Sequence, residues 1–444
     1  MKTLLALFSA AAFLAVSASA SNAVNFDPNH LIVKVKSNQV VPKIAGVEKS
    51  YKLFANTYVL KVSDFRKATA QLQANTKILS VQKNYFARLE KQFSSDFINQ
   101  KTKGVVKASS SEHFNDPGVS SGWIFRDAQL NGISLNKAYR TFKNKPATAT
   151  TIVAVIDTGV DYTHEDLKDI MWKNLNEIAG NGIDDDNNGY IDDIYGINTS
   201  IRDENNKPST EIKDLHFHGT HIAGIIAAKQ NNGKGIAGIA SNVKIMGLKV
   251  IPDVGDETDL DVAEALIYAA RNGAKIINCS FGKKANEGGN LIPDTLKYIA
   301  DTYGVLVVAS AGNANIDIDK TPSYPASFEN ENLLVVASTN DYDGGLNNSP
   351  SYGKISVDLG APGYQIYSAM PNNGYSFQSG VSMATPVVSG IAAEVWSRYP
   401  NLNYKELKTI LIKSVTPSKL LNGKVASGGR VDLYNALLMA SDER

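Results

Sequence analysis

TIVAVI, residues 151–156, runs six positions without a charge and stops at Asp157-Thr158-Gly159. A strand with one wet face alternates apolar and polar side chains, whereas a strand covered on both faces does not. The same unbroken texture returns at Val243 to Val250, Lys275 to Ser280, Val305 to Ser310 and Leu333 to Ser338. Helical patterns lie between several of these runs; Leu260, Ala263, Leu266, Ile267 and Ala270 share one helical face. Such alternation predicts an α/β fold, a parallel central sheet with helices on both faces.

Upstream the texture differs. His30 to Lys36 and Thr57 to Val62 alternate like half-buried strands, Phe65 to Ala74 fits a short helix, and Ile78 to Leu89 a further strand. Residues 25–90 thus read as a small α/β unit. Residues 90–117 are polar, rich in Lys and Ser, and end in Asn115-Asp116-Pro117, which predicts an exposed, cleavable linker. At the start, Lys2, the apolar stretch Leu4 to Val16 and the small residues Ala18-Ser19-Ala20 have the order of a secretory leader. The expected division is a leader at 1–20, a small unit at 21–105 with a linker to about 114, and a main domain at 115–444.

An apolar fraction of 43% with 20% charged residues is ordinary for a soluble globular chain. The net charge of +1 conceals an imbalance. Residues 21–114 carry 15 Lys/Arg against 6 Asp/Glu, and residues 115–444 carry 29 against 38, so a net +9 faces a net −9. A basic front unit and an acidic body suit each other as partners. Cys279 is the single cysteine, which excludes an internal disulfide and an N-terminal lipid-modified cysteine. A secreted chain built this way needs another staple, and metal ions are the obvious one.

Three strand ends or helix starts carry chemistry. Asp157 closes an apolar strand, at the carboxyl edge where parallel sheets place their sites. His216-Phe217-His218-Gly219-Thr220-His221 enters an Ala/Gly-rich helix. A metal-binding His-x-His-x-x-His run is the alternative there. That run normally carries an acid where Thr220 stands and needs later histidines, yet all six histidines lie at or before 221. Gly380-Val381-Ser382-Met383-Ala384-Thr385-Pro386 sets Ser382 at the start of an apolar helix, with Pro386 placed in its first turn. An α/β-hydrolase elbow requires a histidine after the serine, and none follows Ser382.

Taken together in this order, VAVIDTGVD at 153–161, HGTHIAG at 218–224, SAGN at 310–313 and GVSMATP at 380–386 resemble the subtilisin-like serine proteases, as does SGGRVDLYNAL at 427–437. The resemblance covers about residues 115–441 and implies a subtilisin-like fold and a serine endopeptidase. It implies Ser382 as nucleophile, His218 as base, Asp157 as the group that orients His218, and Asn313 as an oxyanion donor. It further implies Ser280-Phe281-Gly282 as the segment that pairs with substrate backbone, with residues 252–258 on the other side. Residues 21 to about 105 resemble, more weakly, the family's prosegment, an intramolecular chaperone and inhibitor that is cut off. Val381 and the run Thr385-Pro386-Val387-Val388 depart from the family's usual Thr and Ser-Pro-His-Val. A catalytically weak relative that serves as a binding module is therefore the alternative function.

Asp184, Asp186, Asn188, Tyr190 and Asp192 place oxygens two residues apart around Gly189, a spacing suited to a hard cation such as calcium. The loop departs from an EF-hand, because Tyr195 stands where the bidentate Glu belongs. Asp166 and the Gln230-Asn231-Asn232 loop sit where relatives bind a second calcium. The four acids Asp253, Asp256, Glu257 and Asp259, in or beside the second substrate-flanking segment, predict a preference for basic residues before the cut. The expected partners are protein or peptide substrates and the chain's own prosegment, with no nucleic acid, no membrane after leader removal, and a monomeric state.

Overall fold

The computed structural model describes residues 25–87, 113–347 and 349–442. The leader read at 1–20 and most of the linker, 88–112, lie outside the described residues. Alternation along β1 (Phe26–Val35) decides how the front unit is used. Leu31, Val33 and Val35 pack against Leu60, Val62, Ala68 and Leu72 in the unit's own core. Ile32 faces the other way, with Leu53, Phe54 and Val59, into the core of the large unit. The remaining elements are β2 (Val47–Phe54), β3 (Thr57–Val62), α1 (Phe65–Gln73) and β4 (Ile78–Tyr85). The four strands form an antiparallel sheet in the order β2-β3-β1-β4. Asp64 caps α1 by accepting the Lys67 N–H at 3.0 Å.

In the large unit α2 (Leu135–Thr141) leads into β5 (Thr151–Asp157), the TIVAVI strand with its aspartate. The chain continues through β6 (Gly196–Arg202), β7 (Pro208–Ser209), α3 (His218–Ala227), β8 (Val243–Lys249) and α4 (Asp259–Arg271). Next come β9 (Ile276–Cys279), α5 (Leu291–Tyr303), β10 (Leu306–Ser310), β11 (Leu333–Thr339) and β12 (Leu359–Pro362). The hairpin β13 (Ile366–Met370) and β14 (Gly374–Gln378) precedes α6 (Val381–Arg398) and α7 (Tyr404–Lys413). β15 (Thr416–Pro417), β16 (Gly429–Arg430) and α8 (Leu433–Asp442) close the chain.

Ten of these strands make one sheet, ordered β15-β16-β12-β11-β10-β9-β5-β8-β6-β7. Its body is parallel, and antiparallel pairing is confined to the edge pairs β15–β16 and β6–β7. Val153 and Val155 of β5 pack in the layer of α3 and α6, and Ala154 and Ile156 in the layer of α4 and α5. The doubly covered strand read from the sequence is therefore central, and Asp157 stands at its carboxyl end.

The front unit docks on the N-terminal ends of α4 and α5. Asn84 Oδ1 accepts the Leu260 N–H at 3.1 Å, and Gln82 Oε1 accepts the Asn290 N–H at 2.8 Å. These donors have no partner within their helices. Lys34 Nζ meets Asp294 at 2.9 Å. Phe86 bridges Thr258 in antiparallel fashion, and the Ala87 N–H donates to Glu257 O at 2.8 Å.

Two expectations change. The sequence pattern does not reveal β2, because its outward side chains Glu48, Lys49, Ser50 and Lys52 are exposed and mask the strand alternation. The exposed linker does not extend to Pro117: Phe114 is buried, with its ring 5.9 Å from Phe125 and 5.5 Å from Tyr139. Asp116 accepts the N–H groups of Asn231 and Asn232 at 2.8 and 3.0 Å. Among the described residues no helix is long and apolar enough to cross a membrane.

Burial of β5 on both faces has a direct consequence for stability. Ile156→Ala, measured by denaturant unfolding in a Ser382→Ala background to prevent self-digestion, is expected to cost about 2–5 kcal/mol. A loss below about 1 kcal/mol would contradict the two-sided packing.

Candidate active site

The strand end and the helix start meet because glycine allows it. A Cβ on Gly219 would lie 2.0 Å from Gly159 O and 3.2 Å from Asp157 Cβ. With no Cβ there, α3 begins against the end of β5, and His218 Nδ1 reaches Asp157 Oδ1 at 2.7 Å. The same Oδ1 accepts the Thr158 N–H at 2.7 Å. Asp157 is fully buried and His218 nearly so. A buried carboxylate on Nδ1 fixes the ring so that Nε2 is the nitrogen left for proton transfer. His221, one turn on, is also buried, and its Nε2 lies 3.1 Å from Ser376 O. Burial depresses the His221 ring to about 3, so it stays neutral and ties α3 to the β13–β14 hairpin.

Ser382 is the second residue of α6. Its hydroxyl donates to Ser280 O at 3.1 Å. In return the Ser280 hydroxyl donates to Ser382 O at 3.0 Å. That second bond has a cause inside the helix. Pro386 lies within α6, beyond the first turn that the sequence predicts for it. A proline four residues ahead offers no N–H to Ser382 O, so this carbonyl loses its helical partner. Ser280 replaces it, and its own Oγ accepts from Asn278 Nδ2 at 2.9 Å, while Ser389 Oγ donates to Asn278 Oδ1 at 2.9 Å. A buried polar chain thus fastens the end of β9 to α6.

Asn313 follows β10. Its Oδ1 accepts the Val381 N–H at 2.9 Å, which leaves Nδ2 as the end of the amide free to donate. Gly380, just before Ser382's helix, stands at φ +153°, a conformation that side-chain-bearing residues rarely adopt. Val381, beside Ser382, is fully buried and packs inward.

Of Ser280, Phe281 and Gly282, Phe281 lines a largely apolar pocket together with Cys279, Ile292, Leu296, Tyr324 and Phe328, and Ala87 of the front unit lines it too. Lys283 exchanges both backbone hydrogen bonds with Tyr324 at 2.8 Å. The acidic lip read from the sequence is half neutralised. Asp259 binds Lys283 at 2.8 Å and Asp253 binds Lys249 at 2.7 Å. The expected preference for basic substrate residues therefore loses two of its four carboxylates.

Of the residues read as metal ligands, Asp184 and Asp186 come together, and they do so with Glu177, which the sequence reading missed. Oxygens of these three lie within 4.8 Å of one another. An all-carboxylate set of hard oxygens fits a cation such as calcium. Asn188 joins the cluster through Nδ2, which donates to Asp186 at 3.1 Å and to Asp193 at 2.9 Å. The side chains of Asp192 and Tyr190 have protein partners of their own. Asp192 accepts the N–H groups of Gly180 and Gly182 at 2.6 and 3.0 Å, and the Tyr190 phenol donates to Glu264 at 3.1 Å. Asp166 stands apart from this cluster, with both oxygens taken by Asn232, Ile236 and Tyr375 at 2.8–2.9 Å.

The sequence profile of the subtilase family, peptidase S8, matches residues 148–429, and the chain belongs to that family. Thermitase of Thermoactinomyces vulgaris is 35% identical over 240 residues, covering 54% of this chain and 72% of its own length. Subtilisin-like protease 1 of Plasmodium berghei (strain Anka) is 36% identical over 307 residues, 65% of this chain and 49% of its own. The fold is similar to that of fervidolysin from Fervidobacterium pennivorans, a keratinolytic enzyme related to subtilisin, with a TM-score of 0.67 at 23% identity over 94% of this chain and 62% of that one. The chain spans about half the length of the first curated relatives it matches.

The Pro386–Ser280 exchange is open to a double-mutant cycle. Ser280→Ala should cost about 1–3 kcal/mol, since it orphans a buried carbonyl. Pro386→Ala, which restores the helical N–H, should recover part of that loss. Strict additivity of the two changes would show that the hydroxyl does not replace the missing helical bond.

Proposed function

We propose that this chain is a secreted serine endopeptidase, made as a self-processing precursor. The observation that carries the reading is the buried Asp157–His218 contact of 2.7 Å, set beside Ser382 and Asn313 on neighbouring elements. Ser382 Oγ attacks the scissile carbonyl while His218 Nε2 takes its proton and later returns it to the leaving amine. Asp157 holds the Nδ1 proton and stabilises the imidazolium. The oxyanion is met by Asn313 Nδ2 and the Ser382 N–H. For attack the Ser382 hydroxyl proton leaves Ser280 O, its acceptor at 3.1 Å, for His218. Substrate lies extended between residues 280–282 and 257–258, in the antiparallel manner in which Ala87 meets Glu257.

The front unit acts as the prosegment. Its support is the docking on α4 and α5 and the approach of Ala87 to the substrate-flanking segment. The leader-like residues 1–20 support secretion. Calcium is the proposed structural ion, held by Glu177, Asp184 and Asp186 and assisted by the rest of the 184–192 loop; it would offset the mutual repulsion of these carboxylates.

Two outcomes are expected. Ser382→Ala, made in a protease-free host, should accumulate as the uncut precursor and fail to hydrolyse casein; normal processing would mean that another enzyme does the cutting. In that same variant, calcium at 100 times its dissociation constant should add about 2.7 kcal/mol of stability over chelator-treated protein. The gain should vanish in Asp184→Ala/Asp186→Ala. An unfolding midpoint that ignores both calcium and the mutations would remove the ion from the account.

A further inference from the structure

A fourth side chain is built into this site. Asp214 is 1% exposed and accepts five hydrogen bonds on one carboxylate. Its Oδ1 takes the Thr158 hydroxyl at 3.1 Å and the N–H groups of His216 and Phe217 at 2.9 and 3.0 Å. Its Oδ2 takes the Thr220 N–H at 3.0 Å and the Thr220 hydroxyl at 2.6 Å. These donors come from both sides of the Asp157–His218 contact. Thr158 is bonded through its own N–H to Asp157 Oδ1, and its hydroxyl also accepts the Gly219 N–H at 3.0 Å. Residues 216, 217 and 220 bracket His218.

An ordinary helix cap satisfies one or two N–H groups at its own helix. Asp214 does more, because it joins the residue after Asp157 to the first turn that carries His218. It also holds a backbone that would otherwise relax. Phe217, the residue before His218, sits at φ +152° and ψ −23°, where a side-chain-bearing residue is strained. The Asp214 bond to its N–H keeps that turn in place.

We infer that Asp214 is a positioning residue for the hydrolytic reaction: it sets the distance and direction of His218 relative to Asp157 without touching substrate. This rests on the endopeptidase reading above. Because transfer of the Ser382 proton depends on that alignment and substrate binding does not, its loss should appear in kcat and not in KM.

The test uses the full-length chain after self-processing, with active sites counted by titration with a serine-directed phosphonate and kinetics read on one peptide substrate. Asp214→Asn keeps the shape but puts an amide NH₂ against a ring of donors. It should lower kcat per titrated site about ten- to a hundredfold and leave KM within about twofold. Thr158→Val removes the bridging hydroxyl alone and should lower kcat by up to about tenfold in the same pattern. Parental kcat per titrated site in Asp214→Asn, or a change confined to KM, would overturn the assignment. If Asp214→Asn does not fold or process, Thr158→Val decides, and parental kcat there would overturn it equally. A parent chain that hydrolyses nothing is a separate result, which fails the endopeptidase reading itself.

Discussion

The approach of α3 to the end of β5 is the constraint on which the site depends. Gly219 stands so close to Gly159 O that a Cβ would be 2.0 Å away, inside any permitted contact. The absence of that one carbon lets a helix start where a strand stops, and the 2.7 Å hydrogen bond between Asp157 and His218 follows from it. The buried sheet supplies the rest. β5 is held by β9 on one side and β8 on the other, so Asp157 cannot move without the core. Ser382 is placed by a separate device. Pro386 frees a carbonyl in α6, and Ser280 at the end of β9 takes it, which locks that helix to the strand beside β5. Three elements that share no local sequence are thereby fixed around one point.

The front unit adds a second face to the same core. Opposite net charges suggest attraction at long range. At contact, the described interface is led by apolar packing of Ile32, Leu53, Phe54 and Val59 and by the two side-chain caps on α4 and α5. The ion pair between Lys34 and Asp294 is about one-third exposed on both sides, and such pairs contribute about 0–1 kcal/mol. Charge therefore governs how the units meet more than how firmly they stay together.

The parallel sheet and the residues at its edge were legible because their signals are local. An unbroken apolar run ending in Asp157, and a histidine and a serine each opening an apolar helix, are patterns of a few residues. What escaped depends on how loops fold back to bring particular side chains together, which no motif spacing encodes. Glu177 joins Asp184 and Asp186 across an exposed turn, and no spacing rule connects it to them. Asp214 reads as a loop acid until Thr158 and Thr220 are seen to converge on it. The spacing of Asp192 and Tyr190 does not reveal that their side chains meet the backbone of 180–182 and the side chain of Glu264. Lys249 and Lys283, likewise, neutralise acids that the sequence left open to substrate.

The central claim is that the Asp157–His218 pair activates one particular serine. Treat the processed protein with a serine-directed phosphonate, digest it, and locate the adduct by mass spectrometry. The account predicts a single modified residue, Ser382, with the adduct lost in His218→Ala. An adduct elsewhere, or equal labelling of Ser382 without His218, would contradict it.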